Sequence, residues 1–523
     1  LAVPASAVRA AIQRRLADEV GTLGIDQPSM FCLAYPSPYN VGMSSLGFQT
    51  LYRILWAEGI GCHRAFLPDG WDRHALQWPP PPEPILSYEA MRPLSDYPII
   101  GVSVAYELEI AGLIRMLHAA GIPLLASQRR ARDPIIVAGG PLTDTNPASL
   151  LPFVDVLISG EAEALLPEAI RRLAAGVDRD DALTRIAGLP HSALGEIEPG
   201  RIAALPACAS APHELLPAYS AITTPHTELS DMFLIEPERG CSRRCTFCVM
   251  RGPSTGGMRI LDAALPLGLI PDHAKRVGLV GAAVTDHPEL EPMVAKIVES
   301  GRGVGVSSLR ADRLTPQLLD ALSRGGYRQI TVASDGISER LRALLVRKID
   351  AESLLRAAEL VRANGRLRGL KIYQMIGVPT ETDADADELI AFIRELSRIT
   401  RITLGISTFV AKRNTPLDGQ DFVGVSAAEA RLSAIARGLR GAATMRPQSP
   451  KWAHVEWLLA RHGAEGGHAA LAATQAGGSY RAWVRAFAEL GPPSRTWVYG
   501  DEAAQARRRG KAAGPRDRLT VIA

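Results

Sequence analysis

The chain has 523 residues, 47% of them hydrophobic and 22% charged, with a net charge of +3 and only six cysteines. That is apolar material for roughly two to four domains, too little charge to make nucleic acid an expected partner, and too few cysteines for a disulfide framework. No apolar run reaches the roughly 18–20 residues that span a bilayer and no charged-then-apolar leader opens the chain, so no membrane partner is expected and the expected compartment is the cytoplasm.

Val8, Ile12, Leu16 and Val20 recur at helical spacing and predict an amphipathic helix within residues 1–25. Strand and helix patterns then alternate. MFCLAYP (30–36), HRAFL (63–67), PIIGVSVAY (98–106), PIIVAGG (134–140) and VDVLISG (154–160) read as strands, with a Pro- and Trp-rich insertion at 68–96. These runs do not alternate polar with apolar, as expected for a parallel sheet covered on both faces. Gly and Ser fall just past their C-termini, where open α/β sheets bind ligands. Residues 1–177 are expected to form a Rossmann-like domain. Residues 178–230, rich in Pro, Ala and His and without a long periodic segment, read as a linker.

A second series begins at MFLIEPERGC (232–241). RVGLVG (276–281), GVGVSSL (303–309), QITVAS (329–334), LKIYQMIG (370–377) and ITLGISTFV (402–410) follow, each separated from the next by a helical stretch. Six strand–helix repeats predict a partial (β/α)6 barrel over 231–424. From 425 to 523 the pattern turns helical, ending in the basic tail ARRRGKAAGPRDR (506–518). The fold class is therefore α/β: a Rossmann-like domain, a linker, a partial barrel and a helical C-terminal region.

The segment EPERGCSRRCTFCVMRG places Cys241, Cys245 and Cys248 in a C-x3-C-x2-C loop after the first barrel strand. Three thiolates can hold three irons of a [4Fe–4S] cube and leave the fourth open to a chelating ligand. A structural zinc site wants four ligands, and an electron-transfer cluster wants four cysteines. Cys32, Cys62 and Cys208 are scattered and supply neither.

With these residues in place, the barrel resembles the radical SAM superfamily, in which S-adenosylmethionine (SAM) chelates the open iron. Phe247 matches the aromatic usually found before the third cysteine. VGLVGAAVTD (277–286) stands where the family has its Gly-Gly-Glu strand, with only Gly281 matching. SSLRADRL (307–314) matches the third-strand pattern whose Ser307 and Arg310 face SAM. ITVASDGISERLRALLVRKI (330–349) resembles the fourth-strand segment, although Asp335 lies two positions beyond the usual acidic residue. MIGVPTETDADADELIAFI (375–393) and STFVAKRNTPL (407–417) match the fifth and sixth strands. The resemblance implies that Phe247, Gly281, Ser307, Arg310, Gly377 and Pro379 bind SAM.

The N-terminal domain resembles the cobalamin-binding domain of the B12-dependent branch, through YPSPYNVGMSSLGFQTLYRIL, GVSVAYELE, VAGGPLTDTNP and LISGEAEALLPEAI. That resemblance implies cobalamin contacts at Gly42, Ser103, Gly139, Gly140 and Gly160. The Asp-x-His-x-x-Gly loop of B12 domains is absent. The function implied is a cobalamin-dependent methyltransferase: reductive cleavage of SAM at the cluster, hydrogen abstraction from an unactivated carbon, and methyl transfer. The expected partners are a small-molecule or peptide substrate and an electron donor such as flavodoxin or ferredoxin. The alternatives are a radical SAM enzyme without methyl transfer (methylthiotransferase-like, another group transfer, or rearrangement) and a non-enzymatic redox or B12 sensor. No acid–base residue is identified from the sequence.

Overall fold

The computed structural model describes residues 5–71, 78–80, 83–201, 204–252, 256–307 and 309–491; the basic tail at 506–518 lies outside them. The chain divides into two compact units. One is Leu1–Asp231 together with Leu458–Ala523, the other Met232–Trp457. No helix among the described residues is long and apolar enough to cross a membrane.

The first unit is built on β1 (Phe31–Pro38), β2 (Cys62–Leu67), β3 (Ile99–Ser103), β4 (Ile135–Gly139), β5 (Val156–Ile158) and β6 (Ser192–Leu194), in the sheet order β2-β1-β3-β4-β5-β6. The first five strands are parallel and buried nearly throughout. Their unalternating sequences follow from helices covering both faces. The order reverses between β1 and β3, which makes the C-terminal ends of those strands the switch point where doubly wound sheets bind ligands. Three fully buried ion pairs brace the unit: Arg64 bridges Glu19 and Glu89 at 2.8 and 2.5 Å, and Arg129 meets Asp155 at 2.9 Å.

The linker expected at 178–230 is instead part of this unit. Asp178 caps the helix Arg179–Ile186, β6 pairs antiparallel with β5, Gly160 bridges Ala209, and Val20 bridges Thr223. These contacts come from isolated backbone pairings rather than from a periodic apolar face, and periodicity is the signal that marks an element in sequence. The C-terminal helices Ala464–Gln475 and Tyr480–Ala488 also belong to this unit.

In the second unit β7 (Met232–Ile235) is followed by the antiparallel hairpin β8 (Glu238–Gly240) and β9 (Met258–Ile260). The parallel strands β10 (Arg276–Leu279), β11 (Gly303–Val306), β12 (Ile330–Gly336), β13 (Leu370–Ile376), β14 (Ile402–Thr408) and β15 (Ala443–Pro447) continue the series. They form the sheets β11-β10-β7 and β12-β13-β14-β15, joined by a parallel bridge from Leu309 to Val332. The result is an open, partial β/α barrel. The six expected strands are present, and β15 adds a seventh inside the region expected to be helical. That strand is a short, largely exposed edge, so it carries no buried run that sequence could show.

Candidate cluster and cofactor site

Cys241, Cys245 and Cys248 lie on the loop between β8 and β9, and all three thiols are free. Gly240 enters the loop at φ +87°, a conformation glycine adopts without strain. Cys241 and Cys245 are buried and Cys248 is half-buried. Neighbouring segments hold the loop. The Thr246 amide donates to the Leu345 carbonyl at 3.1 Å, the Leu417 amide donates to the Thr246 carbonyl at 3.3 Å, and the Gly252 amide donates to the Arg243 carbonyl at 2.7 Å. The Arg243 amide donates to the Cys241 Sγ at 3.3 Å. Burial pushes the Cys241 thiol up and the Cys248 thiol up to about 11, so a metal binding here must displace those protons. The second unit holds no fourth cysteine. Three free thiols on one eight-residue loop are the donor set of a [4Fe–4S] cluster with one open iron.

Of the residues expected to bind SAM, Arg310 is linked to this loop through Asp286 and Arg243, and Gly281 packs on Glu238 of β8. The Ser307 hydroxyl donates to the Gly281 carbonyl at 3.1 Å. Arg310 is only 5% exposed; its Nη2 donates to Asp312 at 2.9 Å and to the Lys348 carbonyl at 3.1 Å, while Nε and Nη1 have no hydrogen-bond partner among the described residues. Phe247 is half-buried within the cysteine loop. Gly377, at φ +75°, is packed so closely that a Cβ would lie 2.7 Å from Val423. With Pro379 it shapes the turn after β13, where the Val378 amide donates to Glu381 at 3.1 Å.

Several residues that the motifs did not single out complete the site. Asp286 receives two bonds from Arg243, at 2.7 and 2.5 Å, with Arg313 at 3.8 Å and Arg310 at 4.0 Å. Burial would raise its carboxyl, but these three guanidinium groups hold it below the usual range. Glu238 is fully buried. Its Oε1 accepts the Ala283 amide at 2.9 Å and its Oε2 has no hydrogen-bond partner among the described residues. Burial holds its carboxyl up to about 7. A Cβ at Gly281 would lie 2.1 Å from that Oε1, so the glycine is what lets the carboxyl in.

Asp335 follows a bulge. Ala333 pairs with Tyr373 but Asp335 pairs with Gln374, which leaves Ser334 as the extra residue. The bulge accounts for part of the offset from the family's acidic position. Asp335 is ion-paired to Arg347 at 2.6 Å. Asp335, Val346 and Lys348 all have positive φ. This is backbone strain of the kind that collects at functional sites, and it borders the cysteine loop through the Val346 carbonyl, 3.9 Å from the Cys245 Sγ.

In the first unit Ser103 pairs in register with Gly139, and a Cβ on Gly140 would lie 3.2 Å from the Ser103 hydroxyl. Tyr106, 46% exposed, stands just past β3 at the switch point. Gly160 is tied to Gly140 through Thr143, whose hydroxyl donates to the Gly140 carbonyl at 2.7 Å and accepts the Gly160 amide at 3.0 Å, and a Cβ on Gly160 would lie 2.3 Å from the Ala209 amide. Gly42 is a core residue packed on Phe66 and Tyr35.

Two family models match. The one for radical SAM proteins, N-terminal, covers residues 47–192, and the one for the radical SAM superfamily covers 235–393. The uncharacterized protein MJ0966 of Methanocaldococcus jannaschii is 26% identical over 338 residues, 63% of this chain and 70% of that protein. The ribosomal protein uS12 methylthiotransferase RimO of Kineococcus radiotolerans is 30% identical over 168 residues, 29% of this chain and 35% of that enzyme. This chain therefore matches about a third of RimO. Among solved structures, the radical S-adenosylmethionine methyltransferase TsrM of Kitasatospora setae, with cobalamin and a [4Fe–4S] cluster bound, has a TM-score of 0.50 at 16% identity. The match covers 77% of this chain and 78% of TsrM, and it shows a shared fold.

Proposed function

The chain is a radical SAM protein that resembles the B12-binding branch, and from that premise we propose that it is a cobalamin-dependent methyltransferase acting on an unactivated carbon. When bound, the [4Fe–4S] cluster supplies the electron that reductively cleaves SAM, and cobalamin supplies the methyl-transfer chemistry. The observation that carries the reading is the pairing of three free thiols with the buried, half-unpartnered guanidinium of Arg310. Cys241, Cys245 and Cys248 hold the cluster. Arg310 offers two N–H groups to the SAM carboxylate, and Asp286 anchors Arg243 while lying 4.0 Å from Arg310, tying the cysteine loop to the loop after β11. Gly281, Ser307, Phe247, Gly377 and Pro379 line the rest of the SAM seat. Ser103, Tyr106, Gly139 and Gly140 form the rim on which the corrin would lie. The electron comes from a flavodoxin- or ferredoxin-type donor in the cytoplasm, and the substrate is a small molecule or peptide.

The methylthiotransferase-like alternative requires a second cluster. Cys32 and Cys62 are both fully buried, and the register pairs Phe31 with Cys62 and Cys32 with His63. Side chains of successive residues point to opposite sheet faces, so these two thiols do not converge. The deciding experiment is cobalamin content after anaerobic purification with B12 supplied, followed by methyl-labelled SAM. About one cobalamin per chain and label on a carbon of the product support methyl transfer; an iron-loaded chain without cobalamin refutes it.

A further inference from the structure

The inward face of the β12–β15 sheet carries two cations that no carboxylate among the described residues answers. The register aligns Thr331, Lys371, Thr403 and Thr444 in one layer and Ala333, Tyr373, Gly405 and Arg446 in the next. Leu370, Ile372, Gln374 and Ile376 are buried on the other face of β13, so Lys371 and Tyr373 point into the open barrel, where Tyr373 is 39% exposed. Both lean across Gly405. A Cβ there would lie 2.6 Å from the Tyr373 ring and 3.6 Å from the Lys371 Cε. The Lys371 Nζ donates to the Tyr373 hydroxyl at 2.9 Å and has no ion-pair partner among the described residues. Arg446, the register partner of Gly405 on the edge strand, is exposed, and its side chain makes neither a hydrogen bond nor an ion pair among the described residues. The nearest acid in the layer above, Asp335, is taken by Arg347.

Two unanswered cations beside an exposed aromatic ring, floored by Ala333 and Gly405, are complementary to a dianion attached to a planar group. We propose that Lys371, Tyr373 and Arg446 seat the phosphate of a phosphorylated small-molecule substrate. Two cations favour a phosphate monoester over a singly charged carboxylate. The seat names the substrate class of the proposed enzyme and rests on that reading only for the substrate's fate.

The test is calorimetric titration of phenyl phosphate into the full, cluster-reconstituted chain, with benzoate and phenol as comparators, repeated on Lys371→Met, Arg446→Met and Lys371→Arg. Iron content and circular dichroism are read on the same samples. Saturable binding of phenyl phosphate is expected, about tenfold or more weaker in each Met variant, retained in Lys371→Arg, weakened by salt and absent for phenol. No saturable binding, or equal binding in folded wild type and both Met variants, would overturn the proposal. Benzoate binding as tightly as phenyl phosphate would overturn the phosphate assignment. Wild-type protein that cannot hold iron would instead refute the cluster reading, and the titration would still decide the phosphate seat.

Discussion

Two nitrogens of the Arg310 guanidinium make no hydrogen bond among the described residues although the residue is 5% exposed. A buried, incompletely bonded cation is costly unless a ligand completes it. Arg310→Met is therefore expected to weaken SAM binding by about tenfold or more, measured by equilibrium dialysis, with iron content unchanged. Glu238 gives a pH signature. Burial, reinforced by Glu236 and Asp286, holds its carboxyl up to about 7, above its ordinary 4.5. Between those values the folded chain keeps a proton that the unfolded chain has released. The associated stability is full below the unfolded value and is lost as pH rises through the folded one. The loss is on the order of 3 kcal/mol, and Glu238→Gln is expected to flatten it in denaturation curves taken from about pH 5 to 8. The cysteine triad was legible in the sequence because its spacing is local. Glu238 was not, because its contact with Ala283 spans the β8–β9 hairpin.

Elements were legible where apolar runs are long. All eleven expected strands are present, and nearly all of them bury several residues on at least one face. What escaped is held by backbone pairing: β6 beside β5, β15 at an exposed edge, and the Gly160–Ala209 bridge. Gly195 shows how tight such pairing is. A Cβ there would lie 1.7 Å from the Val154 carbonyl, and its amide donates to the Asp155 carbonyl at 3.0 Å. Gly195→Ala is expected to cost about 2 kcal/mol or more, read as a lowered denaturation midpoint. The Ser334 bulge was invisible for another reason: one extra residue in a strand changes no composition or periodicity but displaces the acidic side chain along the sequence.

At the scale of the molecule, the first unit is discontinuous. Asn146 donates to the Leu459, Ala460 and His462 carbonyls at 2.9, 3.2 and 2.7 Å, meeting groups that a helix end leaves open. Gly467 approaches so closely that a Cβ would lie 2.4 Å from the Ser149 carbonyl. A chain ending at Trp457 is expected to leave this unit partly unfolded although all its strands lie upstream, seen as rapid proteolysis within residues 1–231. Local pattern does not encode such a return, so the C-terminal helices read in sequence as a separate region. The central claim is that Cys241, Cys245 and Cys248 carry a cluster that cleaves SAM. Its most direct test is 5′-deoxyadenosine formation by the anaerobically reconstituted, chemically reduced chain, beside the three single Cys→Ser variants. The account predicts SAM-dependent 5′-deoxyadenosine from the wild type and none from any variant; a wild type that holds its iron and forms none, or a variant that still forms it, would contradict the account.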